Sequence, residues 1–382
     1  MNILILYNKP ILVNAGGVQR VSQVLANQFL KDGHSVYYLA STKAINTTYN
    51  NCQFFFPDLN NISNPINYDY LRNLINDLGI NLILNQEGLS NRFGPFLSHI
   101  RNIEGLKICS VLHNSPYAPV VSTLTKFENF IHSTFLKRKF IYYFLIRIYN
   151  IKHRNNYRNL IKNSNSIIVL AESYKTDLLK ILNSHTNKIH VIGNPTTLEA
   201  PELITLKENS ALFVGRLDIK QKRLDLLLKS WALLDADLKE IFHLDILGDG
   251  PDENKLKDLA KKMNLKNVVF HGNKDPQKFY EKSLILCMTS AFEGYPLVIN
   301  EARINGVYPL VFDSFGALRE IILSPCEGRV IKNGDLQSFA TSLSLIFRKE
   351  IIISSSSLIK SAKKLNARKV VDMYYKTINY EA

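Results

Sequence analysis

The chain has 382 residues, of which 46% are hydrophobic and 21% charged, with 17 glycines and 13 prolines. This composition is typical of a folded globular protein and excludes a disordered or fibrous one, and the length predicts two or three domains of about 100–200 residues each. Lys and Arg number 47 against 33 Asp and Glu, and the formal net charge of +14 favours an anionic partner: nucleotide phosphates, acidic lipid headgroups or nucleic acid.

The N-terminus, MNILILYNKP, has no basic region before its short apolar run, which predicts a first strand rather than a signal peptide. No uncharged stretch is long enough to span a bilayer. The cysteines are widely spaced, without metal-ligand or CxxC spacing, which favours reduced, mostly structural thiols in a cytoplasmic protein. They are Cys52, Cys109, Cys287 and Cys326.

The first half of the chain predicts an α/β domain over residues 1–198. It opens with a strand, a loop, a helix closed by Gly33 and a second strand, so the loop is expected at the carboxyl edge of a parallel sheet, where such sheets bind ligands. The opening strands are NILILY and SVYYLA, and the later strand candidates are NLILNQ, KICSVLH, SIIVLA and KIHVIGN.

A polar segment without clear periodicity, residues 199–210, predicts the linker to a second domain over 211–366. There, strands alternate regularly with helices, which indicates a second parallel sheet covered on both faces. From residue 335 the pattern is helical to the end, and residues 367–382 are expected to form a helix that packs back on the N-terminal domain.

The stretch AFEGYPLVINEA, residues 291–302, places two glutamates around a predicted helix start. Proline suits the first turn of a helix, so the helix is predicted to begin at Pro296, and a helix start at a sheet edge attracts anions. Glu293 precedes the helix and Glu301 lies in its second turn. Carboxylates accept hydrogen bonds from diols, so a sugar ring and a ribose on either side of a diphosphate would suit them. For an isolated pair, a solvated Glu301 and a Glu293 that merely belongs to a turn would be the more frequent interpretation.

This stretch closely resembles the E-x7-E motif of the family 4 retaining glycosyltransferases, which have the GT-B fold. The resemblance covers essentially the whole chain and is tightest over 211–323. It implies an α/β protein of two Rossmann-like, doubly wound parallel-sheet domains facing across a cleft, with the acceptor in the N-terminal domain and the donor nucleotide in the C-terminal one. The other stretches that resemble motifs of this family are FVGRLDIKQKRLDLLLKSW (213–231), LDILGDGPDENKL (244–256), VVFHGN (268–273), AGGVQR (15–20) and SVLHNSP (110–116).

The resemblance also implies roles for individual residues. Arg216 and Lys222 would neutralise the donor diphosphate, Glu301 would hold the ribose and Glu293 the sugar hydroxyls, and His113 would line the reaction centre. The catalytic candidates are therefore His113, Glu293, Arg216 and Lys222. The donor-binding candidates are Gly16, Gly17, Gly215, Arg216, Lys222, Gly248, His271, Gly272, Glu293, Gly294, Tyr295, Pro296, Leu297 and Glu301.

Metal and cofactor requirements are expected to be absent. The DxD sequence Asp235-Ala236-Asp237 falls between a helix and a strand, where a solvated cluster at a helix end is the better interpretation. With Arg216 and Lys222 available, a divalent ion is not needed to offset the diphosphate charge.

The segment 126–162 is both basic and aromatic, with nine Lys and Arg against Glu128 alone, a net of +8. This pattern predicts a helix on an anionic membrane surface, through Lys137, Arg138, Lys139 and Arg147. Two alternatives stay open: a core helix with a solvated basic face and, least favoured because no motif accompanies it, a nucleic-acid surface.

The function expected from the resemblance is retaining transfer of a hexose or N-acetylhexosamine from a nucleotide-diphosphate sugar, a UDP-sugar first among them. The acceptor would be a saccharide or lipid-linked saccharide in bacterial lipopolysaccharide, O-antigen or capsule synthesis. The protein would be cytoplasmic, in peripheral contact with the inner face of the cytoplasmic membrane. The alternatives are a GT-B sugar-nucleotide epimerase or hydrolase, and a non-catalytic sugar-nucleotide-binding partner subunit.

Overall fold

The computed structural model describes residues 1–11, 16–44, 51–89, 93–126, 135–202 and 206–380, with the backbone alone for 125–126 and 135–140. The chain divides into two compact units. The N-terminal unit comprises Met1–Val120, Ser133–Thr197 and Leu365–Ala382, and the C-terminal unit comprises Val121–His132 and Leu198–Lys364. The predicted linker, 199–210, therefore lies within the C-terminal unit, and the final helical segment belongs to the N-terminal unit from Leu365 onwards.

The N-terminal unit is built on a seven-stranded sheet with the order β3-β2-β1-β4-β5-β6-β7, in which all neighbouring strands are parallel. Its strands are β1 Asn2–Tyr7, β2 Ser35–Ala40, β3 Gln53–Phe55, β4 Leu82–Asn85, β5 Lys107–Leu112, β6 Ser166–Val169 and β7 Ile189–Val191. The helices of this part are α1 Gly17–Lys31, α2 Pro65–Asp77, α3 Gly94–Ile100, α4 Ala118–Lys126, which runs on into the C-terminal unit, α5 Phe135–Lys162 and α6 Glu172–Leu182.

The C-terminal unit has a six-stranded parallel sheet with the order β10-β9-β8-β11-β12-β13. Its strands are β8 Ser210–Val214, β9 His243–Leu247, β10 Val268–Gly272, β11 Ile285–Met288, β12 Tyr308–Asp313 and β13 Arg329–Lys332. Its helices are α7 Ile219–Lys222, α8 Leu224–Ala232, α9 Ala236–Ile241, α10 Glu253–Lys262, α11 Gln277–Lys282, α12 Leu297–Ile304, α13 Leu318–Ile321, α14 Leu336–Phe347 and α15 Ser355–Ala362.

The last helix, α16 (Ala367–Thr377), returns to the N-terminal unit and is anchored beside α1. The Tyr375 hydroxyl donates to the carboxylate of Asp32 (2.8 Å), and the Tyr375 ring lies against that of Phe29, with 5.9 Å between centroids. Arg368 pairs with the same carboxylate at 2.6 Å. A charged and an apolar contact thus fix one side of α16 to the end of α1.

The inner strands of both sheets lie between helices, so strands such as β4, β6 and β11 are buried on both faces and consist of short apolar runs. The core of the C-terminal unit centres on Trp231 in α8, which is fully buried together with Phe213, Phe312 and Phe339. The expectation of an α/β protein with two Rossmann-like parallel-sheet domains is confirmed. Within the described parts of the chain, no helix combines the length and apolar character needed to cross a bilayer.

Candidate active site

The order of the second sheet locates a ligand site before any side chain is considered. Strands β9 and β10 lie on one side of β8, and β11, β12 and β13 lie on the other, so the strand order reverses between β8 and β11. Ligands of open α/β sheets bind outside the carboxyl ends of the strands at such a reversal. The loops that follow β8 and β11 are therefore the expected walls of a site.

The loop after β8 forms a tightly bonded turn that presents Lys222. The side chain of Asp218 accepts hydrogen bonds from the backbone amides of Lys220 and Gln221 and so caps α7. Thr289, just beyond β11, donates its hydroxyl to the carbonyl oxygens of Lys222 (3.1 Å) and Arg223 (2.9 Å). These contacts fix the backbone of the turn against the neighbouring loop.

Lys222 reaches across the reversal to Glu293 in the loop after β11. Its Nζ lies 2.7 Å from Oε1 of Glu293, and the two side chains are 16% and 9% exposed. Removing one partner of such a largely desolvated pair lowers the stability of the fold by several kcal/mol, because the other charge is left buried without its partner. In the same turn, Lys220 is exposed and Arg216 lies exposed at the end of β8. The structure thus brings together two of the catalytic candidates, which are 71 positions apart in sequence.

Gly215 and Gly248 allow the loops after β8 and β9 to approach each other closely. A Cβ at Gly248 would overlap the carbonyl oxygen of Gly215, and Gly248 has φ +129°, a value that strains other residues. The amide of Gly248 donates to the carbonyl of Gly272 (2.8 Å), at the end of β10. A Cβ at Gly215 would lie 3.4 Å from Cε of Lys222, so the aliphatic part of the Lys222 side chain packs over this glycine. These glycines therefore shape the backbone around Lys222.

We expect Gly248→Ala to reduce the free energy of unfolding by about 3 kcal/mol or more, because backbone strain and a collision with Gly215 add together. Gly272→Ala is the matched control. Gly272 also has a positive φ, +70°, but a Cβ there would meet no atom within 4 Å, so only about 1–2 kcal/mol should be lost. Urea denaturation of both variants measures the difference, and equal losses would show that the loops move apart without cost.

Glu301 is completely buried in the second turn of α12. Its Oε2 accepts a hydrogen bond from the hydroxyl of Tyr280 at 3.2 Å. Pro296 is the N-cap of α12, so the helix begins at Leu297, one residue later than predicted. Gly294 and Tyr295 complete the loop between Glu293 and the helix, and burial raises the pKa of Tyr295 to about 12.

His271, a donor-binding candidate, is engaged inside the C-terminal unit. Its Nε2 lies 2.6 Å from Oδ1 of Asp245, whose Oδ2 lies 3.2 Å from Nε2 of His243. The carboxylate therefore joins the edge strand β10 to β9.

The remaining catalytic and donor candidates lie in the N-terminal unit. His113 follows β5, and its Nε2 donates to Oε1 of Gln86, which follows β4, at 2.6 Å. Burial lowers the pKa of His113 to about 4, so the ring is neutral at pH 7. Gly16 caps α1 and Gly17 is its first residue, with the Gly16 amide donating to the Gln19 side chain.

Acidification is expected to destabilise the protein through His113. Between pH 6.5 and pH 4 the unfolded chain binds a proton that the folded protein does not, since folding lowers the pKa of this group from 6.5 to about 4. Its contribution to the free energy of unfolding therefore falls by about 2 kcal/mol from pH 7 to pH 5. Urea unfolding at the two pH values measures this loss, and His113→Gln, which cannot titrate, should lose less. An identical loss in both proteins would assign the acid sensitivity to other groups.

Two sets of sequence candidates lie outside these loops. Asp235 and Asp237 both pair with Arg348, at 2.9 and 3.1 Å, on an exposed surface. Arg147 is exposed on α5, whereas the side chains of Lys137, Arg138 and Lys139 fall outside the described residues.

Two residues contact the candidate site residues but could not be recognised from the sequence: Tyr280 and Thr289. Each acts on a residue at least 21 positions away, and Thr289 acts on a backbone carbonyl, which any side chain can supply. The packing of β8 against β11 brings Thr289 to Lys222, and the packing of α11 against α12 brings Tyr280 to Glu301.

Residues 196–365 match the family Glycosyl transferases group 1. This segment therefore resembles a group 1 glycosyl transferase domain. It contains Arg216, Lys222, Glu293 and Glu301, and the family resemblance predicted from these motifs is confirmed.

Similar proteins extend the comparison to the rest of the chain. An uncharacterized glycosyltransferase of Haemophilus influenzae is 25% identical over 349 residues, which are 87% of each chain. The lipopolysaccharide 1,6-galactosyltransferase of Escherichia coli K12 is 28% identical over 200 residues, 50% of this chain and 55% of that enzyme. Among solved structures, the apo form of the lipopolysaccharide outer core galactosyltransferase WaaB aligns over 99% of both chains with a TM-score of 0.71 at 16% identity. This last likeness shows the GT-B fold.

Proposed function

We propose that the protein is a retaining glycosyltransferase that moves a hexose or N-acetylhexosamine from a UDP-sugar to a saccharide or lipid-linked saccharide in bacterial surface-polysaccharide synthesis. The observation that carries the proposal is the Lys222–Glu293 pair, which lies at the sheet reversal inside the segment that matches the glycosyl transferase family. Support for the substrates comes from relatives: a Campylobacter jejuni N-acetylgalactosaminyltransferase, 32% identical over 160 residues, is named for an undecaprenol-linked acceptor. A pneumococcal O-GlcNAc transferase with a TM-score of 0.73 was solved with UDP and GlcNAc.

The pair suits a reaction that expels a diphosphate. The developing negative charge must be stabilised by nearby cations, and Lys222 together with the exposed Arg216 supplies two without a metal ion. Glu293 accepts hydrogen bonds from hydroxyls of the transferred sugar, while Glu301 accepts those of the ribose. The departing phosphate itself deprotonates the acceptor on the same face, which retains the anomeric configuration.

A transfer assay tests this function. The purified protein is incubated in EDTA with UDP-hexoses and UDP-N-acetylhexosamines and with lipid-linked saccharide acceptors, and the anomeric configuration of any product is determined by NMR. The proposal predicts an α-linked product from an α-linked donor. Donor consumption without an acceptor would instead indicate a hydrolase or epimerase, and donor binding without turnover a non-catalytic partner subunit.

We further propose that α5 contacts an anionic membrane surface, on the cytoplasmic side. Its described part exposes an apolar stripe, Tyr143, Phe144, Ile148 and Ile151, whose members are 46–68% exposed. Exposed Arg147, Lys152 and Arg158 share this face, and the sequence of α5 contains no acidic residue. Apolar side chains flanked by cations are what a peripheral helix presents to acidic lipids.

Removing two cations from this face, in Arg147→Ala/Lys152→Ala, is expected to weaken binding to phosphatidylglycerol vesicles roughly 30-fold, at about 1 kcal/mol for each charge. The control is Lys255→Ala/Lys257→Ala, which removes the same charge from exposed positions on α10. Vesicle co-sedimentation compares the two. Equal binding of both double variants would show that α5 is a solvated surface helix without a membrane role.

A further inference from the structure

We propose that Tyr280 is a positioning residue that orients the carboxylate of Glu301 for the donor ribose, and so sets the preference of the site for a ribonucleotide. This inference rests on the proposed function, since it takes Glu301 as the ribose ligand. Nothing in the sequence motifs assigns a role to Tyr280. The geometry that points to it is a hydroxyl of α11 aimed at a carboxylate of α12.

Both residues are completely buried, so their contact is shielded from water. The Tyr280 hydroxyl donates to Oε2 of Glu301 at 3.2 Å. The Tyr280 ring belongs to an apolar cluster that holds it in one position: Leu212, Leu247, Leu286, Ala302 and Val307. A hydroxyl on a ring fixed in this way defines the direction of the bond that Glu301 accepts.

A hydrogen-bond partner of this kind can fix the orientation of a carboxylate on a flexible side chain. Glu301 can rotate about its terminal bond, and a hydrogen bond to one oxygen fixes the plane of the group and therefore the direction of the other oxygen. Hydrogen bonds that orient a ligand-binding side chain in this manner are a recurrent means of holding a site in its productive geometry. For Glu301, the oriented acceptor would meet the vicinal hydroxyls of a ribose.

A second, independent contact fixes the backbones of the two helices relative to each other. Lys207 Nζ donates to the carbonyl oxygens of Tyr280 (3.0 Å), Glu281 (2.9 Å) and Asn305 (2.7 Å). Asn305 in turn donates its side-chain amide to the carbonyl of Glu301 at 2.8 Å. The ammonium group of Lys207 thus ties the end of α11 to the end of α12. The two helices are therefore joined through their backbones as well as through the Tyr280–Glu301 side-chain contact.

The test compares the affinities of UDP and 2′-deoxy-UDP by calorimetric titration. In the unmodified protein UDP should bind roughly 10-fold more tightly, because the 2′-hydroxyl contributes a hydrogen bond to a charged acceptor. Tyr280→Phe keeps the ring and removes only the hydroxyl. It should reduce this ratio to about threefold or less, mainly by weakening UDP. Adding Tyr280→Phe to Glu301→Gln should reduce the ratio no further than Glu301→Gln does alone.

Tyr308→Phe is the matched control. Tyr308 is a buried tyrosine of the same unit whose hydroxyl donates to the carbonyl of Pro325 at 2.7 Å, and its removal should leave the ratio unchanged. If Tyr280→Phe weakens both nucleotides equally, the hydroxyl only supports the fold and the inference is overturned while the proposed function stands. If the unmodified protein binds neither nucleotide, the proposed function fails and the role of Tyr280 fails with it.

Discussion

Replacing Lys222 by alanine is expected to lower kcat for glycosyl transfer at least 100-fold in a protein that still folds, although with less stability because a largely buried ion pair is broken. The ammonium group is proposed to offset the charge that develops on the departing diphosphate, and removing one such preorganised group costs about 100-fold to 1000-fold in rate. The substitution also leaves Glu293, 9% exposed, without the cation that lies 2.7 Å away. Both effects act at the same site and in the same direction.

Lys220→Ala is the control for this prediction, since Lys220 lies in the same turn and is exposed. It removes an equal charge two positions away and should keep near-normal transfer. Initial rates with saturating donor measure both variants, and circular dichroism checks their folding. Near-normal turnover by Lys222→Ala would remove this residue from the mechanism.

Replacing Glu293 by alanine is expected to abolish transfer by a different route. Glu293 is proposed to hold hydroxyls of the transferred sugar, so its loss should lower kcat/KM for the UDP-sugar at least 100-fold and change UDP affinity by only a few-fold. Lys222→Ala, in contrast, should weaken the binding of UDP itself, because Lys222 is proposed to neutralise the diphosphate. The two variants of one ion pair therefore have different signatures.

The contrast between UDP and UDP-sugar binding separates these roles experimentally. Glu253→Ala makes the same charge change as a control, because Glu253, at the start of α10 and 28% exposed, also pairs with a lysine, Lys257. If Glu293→Ala weakened UDP as strongly as it weakened transfer, the carboxylate would act by holding Lys222 in place and not by contacting the sugar.

The alternation of strands and helices could be predicted from the sequence because parallel strands covered on both faces consist of apolar runs that stand out between amphipathic helices. Two strands, β3 (Gln53–Phe55) and β13 (Arg329–Lys332), could not. Each is three or four residues long and lies at the edge of its sheet, so it pairs on one side only and needs less apolar sequence. Their existence depends on the neighbouring strands β2 and β12.

In the candidate site, individual residues could be predicted from the sequence, but the contacts between them could not. Lys222 and Glu293 follow from the family resemblance of two stretches, but their contact depends on β8 lying beside β11. The hydrogen bond of Thr289 depends on the same packing, and that of Tyr280 depends on the contact between α11 and α12. The sequence alone also could not show that His271 contacts Asp245, because that contact joins adjacent strands whose order is set by the fold.

The most direct test of the central claim, that the loops after β8 and β11 bind a nucleotide-diphosphate sugar, is a calorimetric titration with UDP, GDP and ADP, first in EDTA and then with magnesium. We predict that UDP binds in the micromolar range without metal, that GDP and ADP bind more weakly, and that Lys222→Ala loses most of the UDP affinity. Failure of all three nucleotides to bind, or binding of UDP that appears only with magnesium, would contradict it.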